Sequence, residues 1–244
     1  MNLLNALKRR SKRALYAVGI EAHRFRPESS PLAQLIAGFR RFDIDLVLDV
    51  GANEGQFALE IRTGGYSKRI VSIEPMASAH THLLQASEGD LDWQVHSRCA
   101  VGASTGEIDL NIAGNSVSSS VLPMLKAHSD AAPESAYQGC ETVPLTTLDL
   151  IGSKYFDQAK SLFLKIDTQG YEWQVLDGAK TILPKVRGIL MEISFVPLYE
   201  GQHLWRESIE RLETEGFVLW GLQPVFADPA TGRILQMDAL FFRA

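Results

Sequence analysis

Two rhythms of apolar and polar positions alternate along most of this chain. Short apolar runs closed by turn residues predict strands at 46–50, 69–74, 93–97, 162–167, 188–193, 217–222 and 237–242. Between them, apolar residues spaced three and four apart predict helices at 56–62, 77–87, 172–183 and 204–215. Strands separated by helices imply an α/β fold, a mostly parallel sheet with helices on both faces. From 102 to 146 the rhythm breaks. A serine-rich stretch, Ser116 to Ser120, lies among Gly102, Gly106, Gly114 and Gly139, and 107–112 alternates like an exposed strand. This reads as an insertion over the sheet edge within a main domain of 31–244.

Residues 1–30 read as a separate N-terminal extension. At about 100° per residue, Leu3, Leu4, Leu7, Ala14, Leu15, Val18, Ala22 and Phe25 fall on one face roughly 120° wide, which predicts an amphipathic helix. Lys8, Arg9, Arg10, Lys12 and Arg13 lie off that face. With Arg24 and Arg26 they make seven basic residues up to position 26 against Glu21 alone, a net of +6 on a chain of net −5. The remainder therefore carries about −11. A basic face beside an apolar stripe suits peripheral contact with a membrane surface. Docking on the protein's own sheet, or in a homodimer, stays open as the alternative.

Composition narrows the function classes. With 45% hydrophobic and 22% charged residues and no biased tract, the chain has the make-up of a soluble globular protein with a full core. A net charge of −5 and a pI near 5.7 argue against nucleic acid as the partner. Cys99 and Cys140 form no CxxC, so neither a disulfide framework nor a zinc site is signalled, and both are expected to be buried. His80 and His82 stand two apart on an expected helix and do not share a face. No apolar run approaches the roughly 18 residues of a membrane span. The stretch 14–20 after a basic start is only as long as the shortest signal-peptide core, and Glu21, His23 and Arg24 follow directly. A cytoplasmic location is expected, peripheral at the membrane if the N-terminal segment binds lipid.

Three segments carry chemistry. Asp49-Val50-Gly51-Ala52-Asn53-Glu54-Gly55-Gln56-Phe57 follows an apolar strand and opens a helix. Gly51 and Gly55 let the backbone turn and approach a ligand, and the helix start offers unpaired N–H groups. The central glycine of the GxGxxG dinucleotide fingerprint is missing, which weighs against a nicotinamide-dependent oxidoreductase. Glu74 ends the next strand about 20 residues on, where a carboxylate can accept from both hydroxyls of a ribose, and Pro75 fixes the turn after it. In Leu162-Phe163-Leu164-Lys165-Ile166-Asp167, alternation puts Phe163, Lys165 and Asp167 on one face. Opposite charges inside a central strand are costly unless paired or used. Glu192 ends the following strand near the same edge.

Taken together these pieces resemble the FkbM family of S-adenosylmethionine-dependent methyltransferases. The resemblance rests on DVGANEGQF (49–57), SIEP (72–75), Ala100-Val101-Gly102, Ser118 to Ser120, VPLTTLD (143–149), LKIDTQGYE (164–172), VLDGA (175–179) and the closing 237–243, and covers roughly 43–243. It implies a Rossmann-like class I methyltransferase fold with a seven-stranded sheet whose last strand runs antiparallel. It also implies O-methylation of a hydroxyl on a sugar, a glycolipid or a polyketide-type natural product. By that analogy Asp49, Gly51, Ala52, Asn53, Gly55 and Phe57 hold the methionine part of S-adenosylmethionine, Glu74 with Pro75 the ribose, and Ala100 with Val101 the adenine. Arg98 departs from the pattern, where such enzymes often carry Asn.

The catalytic candidates are Asp167 and Glu192 as general bases, with Lys165 orienting the acceptor oxygen or itself acting as a base if its pKa is depressed. Asp167 and Glu192 together also suit a divalent cation such as Mg²⁺. Ser118, Ser119 and Ser120 are candidates for binding a hydroxylated substrate. A nicotinamide-dependent oxidoreductase and a non-catalytic adenosine-cofactor-binding protein are the alternatives.

Overall fold

The apolar runs form the strands expected of them. The computed structural model describes residues 3–21, 24–156 and 159–243. After helices α1 (Leu3–Ala17) and α2 (Pro31–Arg41) come β1 (Leu46–Val50), α3 (Gln56–Thr63), β2 (Arg69–Ile73), α4 (Ala77–Ala86) and β3 (Trp93–Val95). Then follow β4 (Ala100–Val101), β5 (Gly106–Ala113), α5 (Lys126–Ala131), β6 (Tyr137–Thr146) and α6 (Leu148–Tyr155). The chain closes with β7 (Leu162–Ile166), α7 (Glu172–Asp177), β8 (Val186–Ser194), α8 (Trp205–Thr214), β9 (Val218–Ala227) and β10 (Ile234–Phe242).

One seven-stranded sheet has the order β3-β2-β1-β7-β8-β10-β9. It is parallel from β3 to β8, and β10 runs antiparallel to both β8 and β9. Alternation sorts the core into two layers. Leu46, Leu48, Leu162, Leu164 and Ile166 pack with α6, α7 and α8 on one face. Val47, Phe163 and Phe242 pack with α2, α3 and α4 on the other. The strand order reverses between β1 and β7, and a crevice opens beyond the carboxyl ends of the strands at such a switch point.

Several elements differ from the sequence reading, each for a local reason. Helix α2 is not among the expected helices, since the prolines at 27 and 31 suggest a turn; Ser30 caps it, its Oγ accepting from the Ala33 N–H at 3.3 Å, with Pro31 in the first turn. The expected helix 172–183 stops at Asp177 with Gly178 as its C-cap, where the backbone packs directly on that of Gly102 and leaves no room for a side chain. The segment 102–146, expected as an insertion with one strand, contributes two, β5 and β6, which form a three-stranded sheet β4-β6-β5 with Ala100–Val101. Helix α1 ends at Ala17 rather than reaching Phe25, closed by Gly19 in the left-handed region at φ +73°. Ala22, assigned to the same face, lies outside the described residues. Cys99 is buried as expected, whereas Cys140 is exposed on β6.

Candidate active site

The two loops that leave β1 and β7 at the switch point are shaped by left-handed backbone. Gly51, Asn53 and Gly55 have φ of +74°, +46° and +95°, and Gln169 and Gly170 have +53° and +96°. A Cβ at Gly51 would overlap the Asp167 carbonyl oxygen, so the two loops touch there. Gly51→Ala is expected to destabilise the protein and abolish cofactor binding together, read by thermal melting and calorimetry. Gly55 serves packing instead, since a Cβ there would fall 2.8 Å from the Trp93 ring.

Between the loops lies a cavity of about 310 Å³. Gly51, Ala52, Asn53 and Phe57 line it from β1 and α3, Glu74 and Pro75 from β2, Ala100 and Val101 from β4, and Lys165 and Asp167 from β7. The small sheet closes it with Leu110, Ser116, Val117 and Ser119. The insertion therefore walls the cavity.

Glu74 is buried at the end of β2. Its Oε2 accepts the Asn53 N–H at 2.8 Å and its Oε1 the Met76 N–H at 2.8 Å. Each oxygen keeps a lone pair for another donor, the arrangement a ribose diol requires. Burial pushes the Glu74 carboxyl up to about 7, against those two backbone donors. The buried Asn53 Oδ1, which lines the same cavity, has no hydrogen-bond donor within the protein.

Asp49 does not reach the cavity. It is fully buried, accepts from Ser72 Oγ at 3.1 Å, and lies 3.4 Å from Lys165 Nζ. Strand register dictates this chain of contacts, since Asp49 pairs with Ser72 on one side and Lys165 on the other. Lys165 Nζ also donates to the Gly51 carbonyl at 2.9 Å and lies 3.4 Å from Asp167. Burial works to lower its pKa, but Asp167 and Asp49 outweigh burial and hold it above its ordinary value. Lys165 therefore stays an ammonium, contrary to its reading as a base of depressed pKa. Lys165→Met would strand the Asp49 carboxylate, whose Oδ1 accepts no hydrogen bond. A loss of about 3–5 kcal/mol is expected, a fall of roughly 6–20 °C in melting temperature. The double variant with Asp49→Leu should recover part of it.

Glu192 stands one layer behind the cavity wall. Gln169 Nε2 donates to Asp167 Oδ1 at 2.8 Å and to Glu192 Oε2 at 2.9 Å, so an amide joins the two carboxyls where a cation was considered. Gln169 is itself fixed by Tyr199, whose hydroxyl donates to Gln169 Oε1 at 2.7 Å. Gln236 Nε2 donates to Glu192 Oε2 at 2.6 Å. Burial, reinforced by the Asp167 carboxylate, drives the Glu192 pKa well above the usual range. Among the described residues no group of three or more His, Cys, Asp or Glu is arranged to hold a metal ion.

The serines divide. Ser119 lines the cavity, while Ser118 and Ser120 are buried behind it. Ser120 Oγ donates to the Gln169 carbonyl at 2.7 Å and ties the insertion to the β7 loop. Arg98 points away, pairing with Glu141 at 2.8 Å.

Sequence reasoning missed Gln169, Glu172 and Asp238. Glu172 is buried and its Oε1 accepts the N–H groups of Thr168 and Gly170, each at 3.0 Å, which shapes the loop after β7. Asp238 lines the cavity from β10, and burial, with the Asp167 carboxylate adding to it, raises its pKa to about 7. Its signal was available: a lone acid inside the apolar strand 237–242 is costly unless used, as for Lys165.

The methyltransferase FkbM domain family matches residues 49–219, well over half of the chain. The chain belongs to the FkbM methyltransferase family. Its class I, Rossmann-like fold follows from that membership and from the strand order. No curated protein matches it. Among solved structures it is similar to TehB from Haemophilus influenzae, with 10% identity, 86% of this chain and 62% of that chain covered, and a TM-score of 0.47. It thus spans less than two thirds of TehB. It is also similar to magnesium protoporphyrin IX methyltransferase from Synechocystis PCC 6803 with bound S-adenosylmethionine, with 10% identity, 87% and 76% covered, and a TM-score of 0.48.

The cradle of this FkbM methyltransferase fits S-adenosylmethionine. The unpaired Asn53 Oδ1 suits the ammonium of the methionine part, Glu74 the ribose, and the apolar Ala100, Val101 and Leu110 the adenine. Among the described residues no helix is long and apolar enough to cross a membrane.

Proposed function

We propose that this enzyme methylates a hydroxyl oxygen of a sugar, glycolipid or polyketide-type acceptor. The observation that carries the reading is Asp167, a carboxylate on the cavity wall beyond the cofactor cradle, steered by Lys165 and Gln169. Bound S-adenosylmethionine supplies an already activated methyl group. What remains for the protein is to hold an acceptor oxygen in line and to take its proton, and orientation of that kind is worth about 7–11 kcal/mol. Asn53, Glu74 and the Gly51 turn hold the cofactor. Asp167 receives the hydroxyl proton at its carboxylate, and Lys165 keeps that carboxylate in place. Ser119 and Asp238 offer further hydrogen bonds to a polyhydroxylated acceptor. Glu192 supports Asp167 through Gln169. Cell extract incubated with methyl-labelled S-adenosylmethionine tests this: a labelled sugar, glycolipid or polyketide ether is expected. Label found only on nitrogen or sulfur would refute the reading, and cofactor binding without any transfer would make the protein a non-catalytic binder.

A further inference from the structure

We infer that helix α1 is an anchor that lays the enzyme on an anionic lipid surface. The 15 residues of Leu3–Ala17 form a helix about 22 Å long. Arg9, Arg10, Lys12 and Arg13 are exposed along it; of the apolar residues that follow, Leu15 is half-buried and the others up to Ile20 are exposed. Ala14 is exposed, Val18 is 68% exposed and Ile20 52%, and Phe25 is 62% exposed just before α2. Sequence spacing puts Leu3, Leu4 and Leu7 on the stripe that Ala14 and Val18 continue. Exposed apolar side chains such as Val18, Ile20 and Phe25 are unfavourable in water unless something takes them up.

Charge chooses the occupant. Residues 1–26 carry +6 while the remainder of the chain carries about −11. An anionic bilayer attracts the helix and repels the body, so the two charges orient the protein with α1 toward lipid. Apolar residues then enter the acyl boundary while the arginine and lysine heads stay among phosphates. Each basic residue near an anionic surface strengthens binding by a factor of about five. A second copy of this chain would bring +6 against +6 across the same face, which disfavours a dimer through α1. The inference stands apart from the acceptor assignment, because it uses no residue of the cavity.

Sedimentation of the full chain with phosphatidylcholine vesicles, with and without phosphatidylglycerol, tests it. Binding to the anionic vesicles is expected, weakened by salt and at least about tenfold by R9E/R10E/R13E together. Val18→Glu should weaken it as well. Cofactor affinity should be unchanged in these variants, which shows that they fold. Equal binding by wild type and the charge-reversed variant, or no binding to anionic vesicles, overturns the inference. A concentration-dependent dimer that Val18→Glu abolishes, with no vesicle binding, would assign the face to a second copy instead. Capture by RNA without capture by vesicles would equally overturn it.

Discussion

Replacing Glu74 by alanine is expected to weaken S-adenosylmethionine binding by about 10²–10⁴-fold, the loss of two hydrogen bonds to a charged acceptor. The substitution also removes the acceptor for the Asn53 and Met76 N–H groups, which loosens the loop that shapes the cradle. Calorimetry reads the affinity, and a cooperative melting transition, at a lower temperature than that of the wild type, would confirm that the variant still folds. The pH dependence gives a second, sharper signature. In the cofactor-free protein the Glu74 carboxyl has its pKa pushed up to about 7 by burial. The ribose hydroxyls donate, so the cofactor prefers the carboxylate. Below pH 7 the site must release a proton to bind, and affinity should fall as pH drops through that value and level off above it. Glu74→Gln should bind weakly with a flat profile. A wild-type affinity in Glu74→Ala would remove Glu74 from the cradle.

Asp167→Asn is expected to lower turnover by about 10²–10⁴-fold while leaving cofactor affinity nearly unchanged. The amide keeps an oxygen that can accept from Gln169, so the loop should hold its shape. What it loses is the ability to take a proton. Glu192→Gln should have a small effect by comparison. Burial raises the pKa of its carboxyl, and it accepts from two glutamine amides that a glutamine carbonyl can also satisfy. Asp238→Asn separates the remaining possibility. Wild-type turnover in Asp167→Asn with a collapse in Asp238→Asn would move the proton acceptor to β10. Single-turnover rates with saturating cofactor decide among the three.

The parallel strands were legible because buried strands of such sheets are nearly continuous apolar runs, as in β1 and β7. The charges at the end of β7, Lys165 and Asp167, stood out against such a run, and both line the cavity. What the sequence could not convey was which wall each residue lines. Asp49 and Lys165 are neighbours only through the register of β1 with β7, so Asp49 looks like part of the cradle in sequence and is instead a counter-ion behind it. Glu192 and Asp238 are brought opposite each other by the antiparallel return of β10, a pairing of residues 46 positions apart that no local pattern announces. Gln169 was passed over because an uncharged amide carries no signal until its two carboxyl partners are in place. Strand β6 was missed because it is mostly exposed and contains Pro144, which erases the usual alternation.

The most direct test of the account is the position of a transferred methyl group. Purified enzyme incubated with carbon-13-labelled S-adenosylmethionine and a panel of hydroxylated sugars, glycolipids and polyketides should yield a product whose labelled carbon resonates as a methyl ether. That signal should be lost in Asp167→Asn, although the variant still binds cofactor. A labelled carbon attached to nitrogen, sulfur or carbon, or the same ether signal from Asp167→Asn at the wild-type rate, would contradict it.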